Sequence, residues 1–320
     1  MDLDSFYICQ RNLKIEMELL EKLCSVSGTS GDEGRIRDFV LEYCIRDQKT
    51  WKNQPIIWSG DGFQDNLVLI FGNPKIAMYA HLDTVGFTVR YDNYVVPVGG
   101  PDGETGDLLV FERNGKSEQT RLIFEEEGEQ GLIDFLQPVE PGTTLTYSPF
   151  FEKEEGFIKS PYLDNRLGVW ALLQLAPWAE NIALVFTTYE EHGGGGAGYL
   201  ARLLFERYSV HRAIIADVTW STIGVFPGKG PAISLRDSRI PRKKFVQEVI
   251  DCAKKSGILY QLEVEFQGGS DGREIQHTPY PIDWCFVGPP SEHPHSALES
   301  VHQNDIEGFV ELLAVLAKEL

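Results

Sequence analysis

The feature that most constrains this 320-residue chain is a series of short apolar runs, each ending on residues able to meet a cation. KIAMYA (75–80) leads into His81, Leu82 and Asp83, and IALVFTTY (182–189) into Glu190, Glu191 and His192. AIIA (213–216) leads into Asp217, and a run over 282–287 into a loop with His293, Pro294 and His295. Asp164 stands just before a helical pattern over 165–175. Apolar runs of this length read as buried strands. A further run, NLVLIF (66–71), fits the same class.

Between the runs the apolar spacing is helical, over 13–25, 34–43, 165–175, 197–206, 243–255 and from Ile306 onward. Strands alternating with helices predict an α/β fold with a mixed, largely parallel sheet sandwiched by helices. From 88 to 158 the pattern changes to short alternating runs with Gly, Pro and Thr, among them 94–98, 108–111, 121–124 and 143–147. That segment reads as a small inserted all-β domain, with 1–87 and 159–320 forming the catalytic domain.

Composition narrows the function classes. At 42% hydrophobic residues the chain can build a sizeable core. The net charge of −19 disfavours nucleic acid and anionic membranes as partners. The N-terminus carries no basic segment followed by an apolar run, and no apolar stretch approaches ~18 residues. The five cysteines, Cys9, Cys24, Cys44, Cys252 and Cys285, are scattered and form no CxxC pair. Buried reduced thiols in a cytoplasmic protein are the expectation.

In an open α/β sheet, ligand sites lie outside the carboxyl ends of the strands. Here imidazoles and carboxylates recur at that edge, from strands far apart in the chain. Such donors suit zinc, which accepts imidazole nitrogen and carboxylate oxygen. Two ions ~3.5–4 Å apart can share a bridging carboxylate and a bridging water. His81, Asp164, Glu191, Asp217 and His295 supply five ligands, and Glu190 remains as a general base. Residues two apart on a strand point the same way, so Asp83 is placed to accept the second ring N–H of His81. The other reading of each residue alone is plainer. Asp164 would cap a helix, Glu190 and Glu191 would be a solvated pair, and His211, His277 and His302 stay ordinary histidines.

The motifs in their order resemble those of the tetrahedral aminopeptidases, the glutamyl and deblocking aminopeptidases also labelled endoglucanases. The matching stretches are His81-Leu82-Asp83-Thr84-Val85-Gly86-Phe87, Leu163-Asp164-Asn165-Arg166-Leu167-Gly168 and Glu190-Glu191-His192-Gly193-Gly194-Gly195-Gly196-Ala197. Asp217 after its strand, Gly228-Lys229-Gly230-Pro231, Gly268-Gly269-Ser270-Asp271 and His295-Ser296-Ala297-Leu298-Glu299 complete the series.

The resemblance implies a metallo-aminopeptidase with two divalent ions, zinc or cobalt, acting on peptide substrates as a homo-oligomer. It implies that His81 and Asp217 hold one ion, Glu191 and His295 the other, and Asp164 bridges. Glu190 would be the base, with Asp83 beside it in the catalytic set, and a cis peptide is implied at Asp164–Asn165. His192, Ser270 and Asp271 are the implied substrate contacts, His192 having helix capping as its alternative. The chain departs from the family in three places. Asn165 stands where many relatives carry a second Asp, His192 replaces an apolar residue, and the 88–158 insert is short, which leaves the assembly open. His293 is a rival to His295, and the following Ser296 and Glu299 favour His295. The same centre could serve a deacylase acting on N-acyl amino acids, or persist in a non-catalytic relative. A glycosidase would leave both histidines and Asp164 unexplained.

Overall fold

The computed structural model describes residues 17–124 and 130–320. Cys9 and the start of the helix expected over 13–25 lie outside the described residues. The central sheet has eight strands in the order β1 (Ile56–Trp58), β2 (Leu67–Phe71), β12 (Ile182–Thr187), β3 (Ile76–His81), β13 (Arg212–Ala216), β17 (Asp283–Gly288), β15 (Ala232–Arg236) and β16 (Gln261–Val264). The middle four, β12, β3, β13 and β17, are mutually parallel. β2 and β15 flank them in antiparallel pairing, so the sheet is mixed around a parallel centre.

The pleat divides the apolar residues between two cores. Ile76, Met78 and Ala80 of β3 join one core, and Ala77 and Tyr79 join the other. Both faces are covered, which is why these strands read as unbroken apolar runs. α1 (Met17–Ser25), α2 (Gly34–Asp47), α3 (Leu163–Leu175), α5 (Lys243–Ser256) and α7 (Gln303–Glu319) contribute to the first core. α4 (Gly196–Tyr208) and α6 (Gly272–His277) contribute to the second. α3 is buried along its whole length. It packs against β3, α1 and α7, as an all-round apolar helix must. Truncating Leu172 within it to Ala would cost about 2–5 kcal/mol.

A second sheet begins where the parallel strands end. Its order is β10 (Glu152–Glu154), β11 (Phe157–Ser160), β19 (Glu299–His302), β18 (Pro290–Glu292) and β14 (Thr219–Trp220). β14 follows Asp217, and β18 follows β17, so this sheet carries the chain across the carboxyl edge of the first. The third sheet is antiparallel in the order β5 (Val95–Val98), β4 (Gly86–Val89), β9 (Thr144–Tyr147), β6 (Leu108–Arg113), β7 (Lys116–Ile123) and β8 (Leu132–Ile133). A bridge between Tyr94 and Leu132 joins its two outer ends, so the sheet closes on itself. Closure removes exposed edges. Phe87, Val95, Leu109, Phe111, Leu122 and Leu145 fill its interior. Sheet membership runs from Gly86 to Tyr147, while β10, inside the expected 88–158 insert, pairs with the second sheet.

Among the described residues the cysteines Cys24, Cys44 and Cys285 are buried, Cys252 is partly buried, and all are free. No helix among them is long and apolar enough to cross a membrane.

Candidate metal centre

β3 lies between β12 and β13, although both follow it in the chain, so the order of the parallel strands reverses around it. A crevice at such a switch point is where ligands bind in open α/β sheets. His81 ends β3, Glu190 and Glu191 follow β12, and Asp217 follows β13. β12 stops at Thr187, two residues before the strand end expected from sequence. Tyr189 then takes a left-handed conformation (φ 65°) and turns both glutamates into the crevice. Asp164 enters from the start of α3, whose first turn is broken. Asp164 (φ −83°, ψ 108°) and Asn165 are not helical, and the peptide between them is cis. His295 arrives on the β18–β19 loop.

These side chains meet in two groups. His81, Asp164 and Asp217 form one, and Asp164, Glu191 and His295 form the other. Within each group the donor atoms lie within 4.8 Å of one another. His81 Nε2 is 3.2 Å from Asp164 Oδ1 and 3.4 Å from Asp217 Oδ2. His295 Nε2 is 3.5 Å from Asp164 Oδ2 and 3.3 Å from Glu191 Oε2. Asp164 therefore gives one oxygen to each group. Glu190 stands beside them, and its Oε1 is 3.9 Å from the Arg273 guanidinium.

The far nitrogen of each imidazole is held. Nδ1 of His81 is 3.1 Å from the carbonyl oxygen of Asp83, and Nδ1 of His295 is 3.0 Å from that of Gly100. Donating there leaves each Nε2 free to face the carboxylates. The sequence reading placed the Asp83 carboxylate on His81. The carboxylate is farther, at 3.6 Å, and its oxygens turn instead to the backbone N–H groups of Glu190 (3.1 Å) and Glu191 (3.0 Å). Asp83 also accepts the Ser30 hydroxyl at 2.5 Å. Its side chain therefore braces the glutamate turn, while its carbonyl orients His81.

Backbone crowding fixes the same edge. A Cβ on Gly288 would fall 1.6 Å from the carbonyl oxygen of Asp217, and one on Gly168 2.1 Å from that of Ala216. Only glycine allows these approaches. Asn165 is fully buried; its amide donates to Ala216 O at 2.9 Å, and its oxygen accepts the Gly168 N–H at 2.8 Å. The neutral amide suits a position that must both donate and accept.

Electrostatics show a site short of positive charge. Burial pushes Glu190 well above the usual carboxylate range, with Asp217, Asp271 and Asp83 adding to it and His81 opposing. Burial does the same to Glu191, reinforced by Asp164, and raises Asp217. Burial also acts against ionising Asp164, but the two imidazoles outweigh it and hold this carboxyl below its ordinary value. Burial opposes protonation of His81 and His295. Carboxylates overcome it in both, holding His81 well up and His295 at about 10. Oε1 of Glu191 is buried with no hydrogen-bond partner. Such an atom is costly unless a cation or donor meets it. Imidazole nitrogens, carboxylate oxygens and an unpaired buried oxygen form a donor set that fits divalent metal ions.

The remaining expected site residues lie around this core. Ser270 donates its hydroxyl to Asp217 Oδ2 at 2.6 Å, and Asp271 accepts the Thr187 hydroxyl at 2.6 Å. Both are buried. His192 accepts the Gly99 N–H at 2.9 Å near the surface. His293 belongs to neither three-residue group; its carbonyl accepts the Ser296 hydroxyl. His302 caps α7 by accepting the Asn304 N–H, and His211 sits exposed by Pro281. Sequence reasoning gave Glu299 no role. Its carboxylate accepts the backbone N–H groups of Asp164 and His295, each at 2.9 Å. Its place at the end of the His295-Ser296-Ala297-Leu298-Glu299 motif was the signal for it. Arg166, also given no role, is fully buried and donates to the carbonyls of Leu82 and Val26.

Carboxylates and imidazoles converging at a switch point fit a metal-dependent hydrolase. A family model described as M42 glutamyl aminopeptidase matches residues 127–312, and the chain belongs to that family. It is a peptide-bond hydrolase of the aminopeptidase class. A relative from Acetivibrio thermocellus, named provisionally as an aminopeptidase, is 28% identical over 335 residues, covering 92% of this chain and 96% of its own. Among solved structures, an aminopeptidase of the archaeon Desulfurococcus kamchatkensis superposes with a TM-score of 0.84 at 23% identity, over 95% of this chain and 94% of its own. The TET1 peptidase of Pyrococcus horikoshii gives a TM-score of 0.79 at 25% identity, over 95% and 99%. That peptidase is described as assembling into a tetrahedron or a large octahedral shell.

Proposed function

We propose that the chain removes the N-terminal residue of peptides with two divalent metal ions, zinc or cobalt. His81, Asp164 and Asp217 would hold one ion, and Asp164, Glu191 and His295 the other. The observation that carries this reading is the placement of Asp164, one oxygen toward each three-residue group. When bound, such ions lower the pKa of water and polarise the scissile carbonyl. Glu190 takes the proton from the attacking water and returns it to the leaving amine as the C–N bond breaks. Burial and neighbouring carboxylates raise its proton affinity, the direction a group that takes up and returns a proton requires. Asp83 keeps Glu190 in place through the backbone of the glutamate turn.

The cavity at the centre has a volume of about 210 Å³. That is below the ~300–1,000 Å³ of pockets for drug-sized ligands, and it favours one residue over an extended chain. Following the assembly described for the TET1 peptidase, we take the working form as a homo-oligomer, with 88–158 as the inserted domain that bears on assembly or substrate access. A panel of aminoacyl reporters set beside N-acyl amino acids tests the activity. Release of the N-terminal residue supports the reading, and cleavage of N-acyl substrates alone overturns it in favour of a deacylase.

A further inference from the structure

The cavity beside the candidate centre has walls of unusual charge. Four of the carboxylates lining it belong to the centre, and three more, Asp237, Glu263 and Glu265, stand apart from it. Among the described residues no Lys or Arg lines the cavity. Two divalent ions would balance the four carboxylates of the centre; of the three wall carboxylates, Asp237 has the nearby charges of Arg239 and Arg236, and Glu263 has no cationic partner among the described residues. In the same cavity Glu191 Oε1 is a buried acceptor with no partner.

The wall carboxylates are placed against the usual rule. In β16, Glu263 is the one buried residue, while Leu262 and Val264 point outward. Glu263 is 3% exposed and Asp237 8%. Carboxylates this buried ordinarily have a cationic partner. Glu263 meets only hydroxyls, those of Thr219 and Ser234, and Asp237 accepts the backbone N–H of Arg239 at 2.5 Å. Burial raises the Asp237 carboxyl and the charges of Arg239 and Arg236 oppose it, but the side-chain hydrogen bonds of these arginines go to carbonyls. Arg236 Nε donates to the carbonyls of Asp237 and Glu265, and Arg239 Nη1 to that of Ser238. Trp220 and Phe266, both exposed, line the same cavity and offer apolar faces.

We propose that this cavity receives the side chain of the substrate's N-terminal residue and selects a cationic one, lysine or arginine. The aliphatic stem lies against Trp220 and Phe266, and the charged end meets Asp237, Glu263 and Glu265. A glutamyl side chain would add a further carboxylate to the same walls and is disfavoured, although the matching family model is described by glutamyl specificity. The inference rests on the aminopeptidase reading.

The test uses the full chain, metal-reconstituted, with lysyl, arginyl, leucyl and glutamyl reporter amides. Lysyl and arginyl substrates are expected to exceed leucyl in kcat/KM by roughly 10- to 100-fold, the scale of a hydrogen bond to a charged group, and glutamyl to fall lowest. Glu263→Gln and the less buried Glu265→Gln are each expected to shrink the lysyl-to-leucyl ratio. The ratio is taken within one preparation, so partial misfolding cancels. Preference for leucyl or glutamyl, or a ratio unchanged in both variants, overturns the pocket assignment alone. Cleavage of no aminoacyl reporter overturns the peptidase reading and the pocket with it.

Discussion

The Glu299 carboxylate accepts the backbone N–H of Asp164 at 2.9 Å, joining residues 135 positions apart. Its other oxygen accepts the backbone N–H of His295 at 2.9 Å. One side chain thus fixes the main chain beneath two proposed ligands. Glu299→Gln must turn its NH₂ toward one of these N–H donors and lose that bond. The expected cost is about 1–3 kcal/mol, seen as a lower midpoint in thermal unfolding with chelator present. Unchanged stability would contradict the role of Glu299.

Glu190→Gln keeps the shape of the side chain and removes its basicity. The variant is expected to bind as much metal as wild type while kcat falls by about 10²- to 10⁴-fold. Paired elemental analysis and steady-state kinetics check this. Near-normal turnover would remove Glu190 from the mechanism.

Gly288→Ala tests the crowding at the strand ends. The added methyl would sit 1.6 Å from the carbonyl of Asp217, so backbone must shift. The expected loss is at least the ~1–3 kcal/mol of an overpacked core, read from urea unfolding, together with weakened metal retention. A neutral substitution would show that the edge is loosely held.

Glu33 supplies a pH dependence. Its carboxyl is pushed up to about 7 from an ordinary 4.5, chiefly by burial against the opposing N–H of Gly31. It accepts the Tyr189 N–H at 3.1 Å, at the base of the glutamate turn. Between pH 4.5 and 7 the unfolded chain has lost this proton and the folded chain retains it, so stability falls as pH rises through that window. Glu33→Gln lacks the effect. Its stability relative to wild type should rise from pH 5 to pH 8 in urea unfolding. A constant difference would contradict the assignment.

The strand ends were legible because parallel strands covered on both faces must be apolar throughout. A His or Asp closing such a run marks the sheet's carboxyl edge, as at His81 and Asp217. The short strands were not legible. Two to four residues, as in β14, β18 and β16, carry no period, and β16 hides its charge and exposes Leu262 and Val264. The bracing role of the Asp83 side chain escaped the sequence because it depends on a turn 107 positions away. Spacing does not separate His295 from His293; the motif with Ser296 and Glu299 favours His295, and the fold brings Gly100 from the edge of the third sheet to its ring.

Asp164 is proposed to serve two metal ions at once. Metal content per chain, measured by elemental analysis of gel-filtered protein after reconstitution with zinc, tests it most directly when wild type and Asp164→Ala are compared. Two ions per chain are expected in wild type, and both are lost in the variant. One ion or none in wild type, or two retained without Asp164, would contradict it.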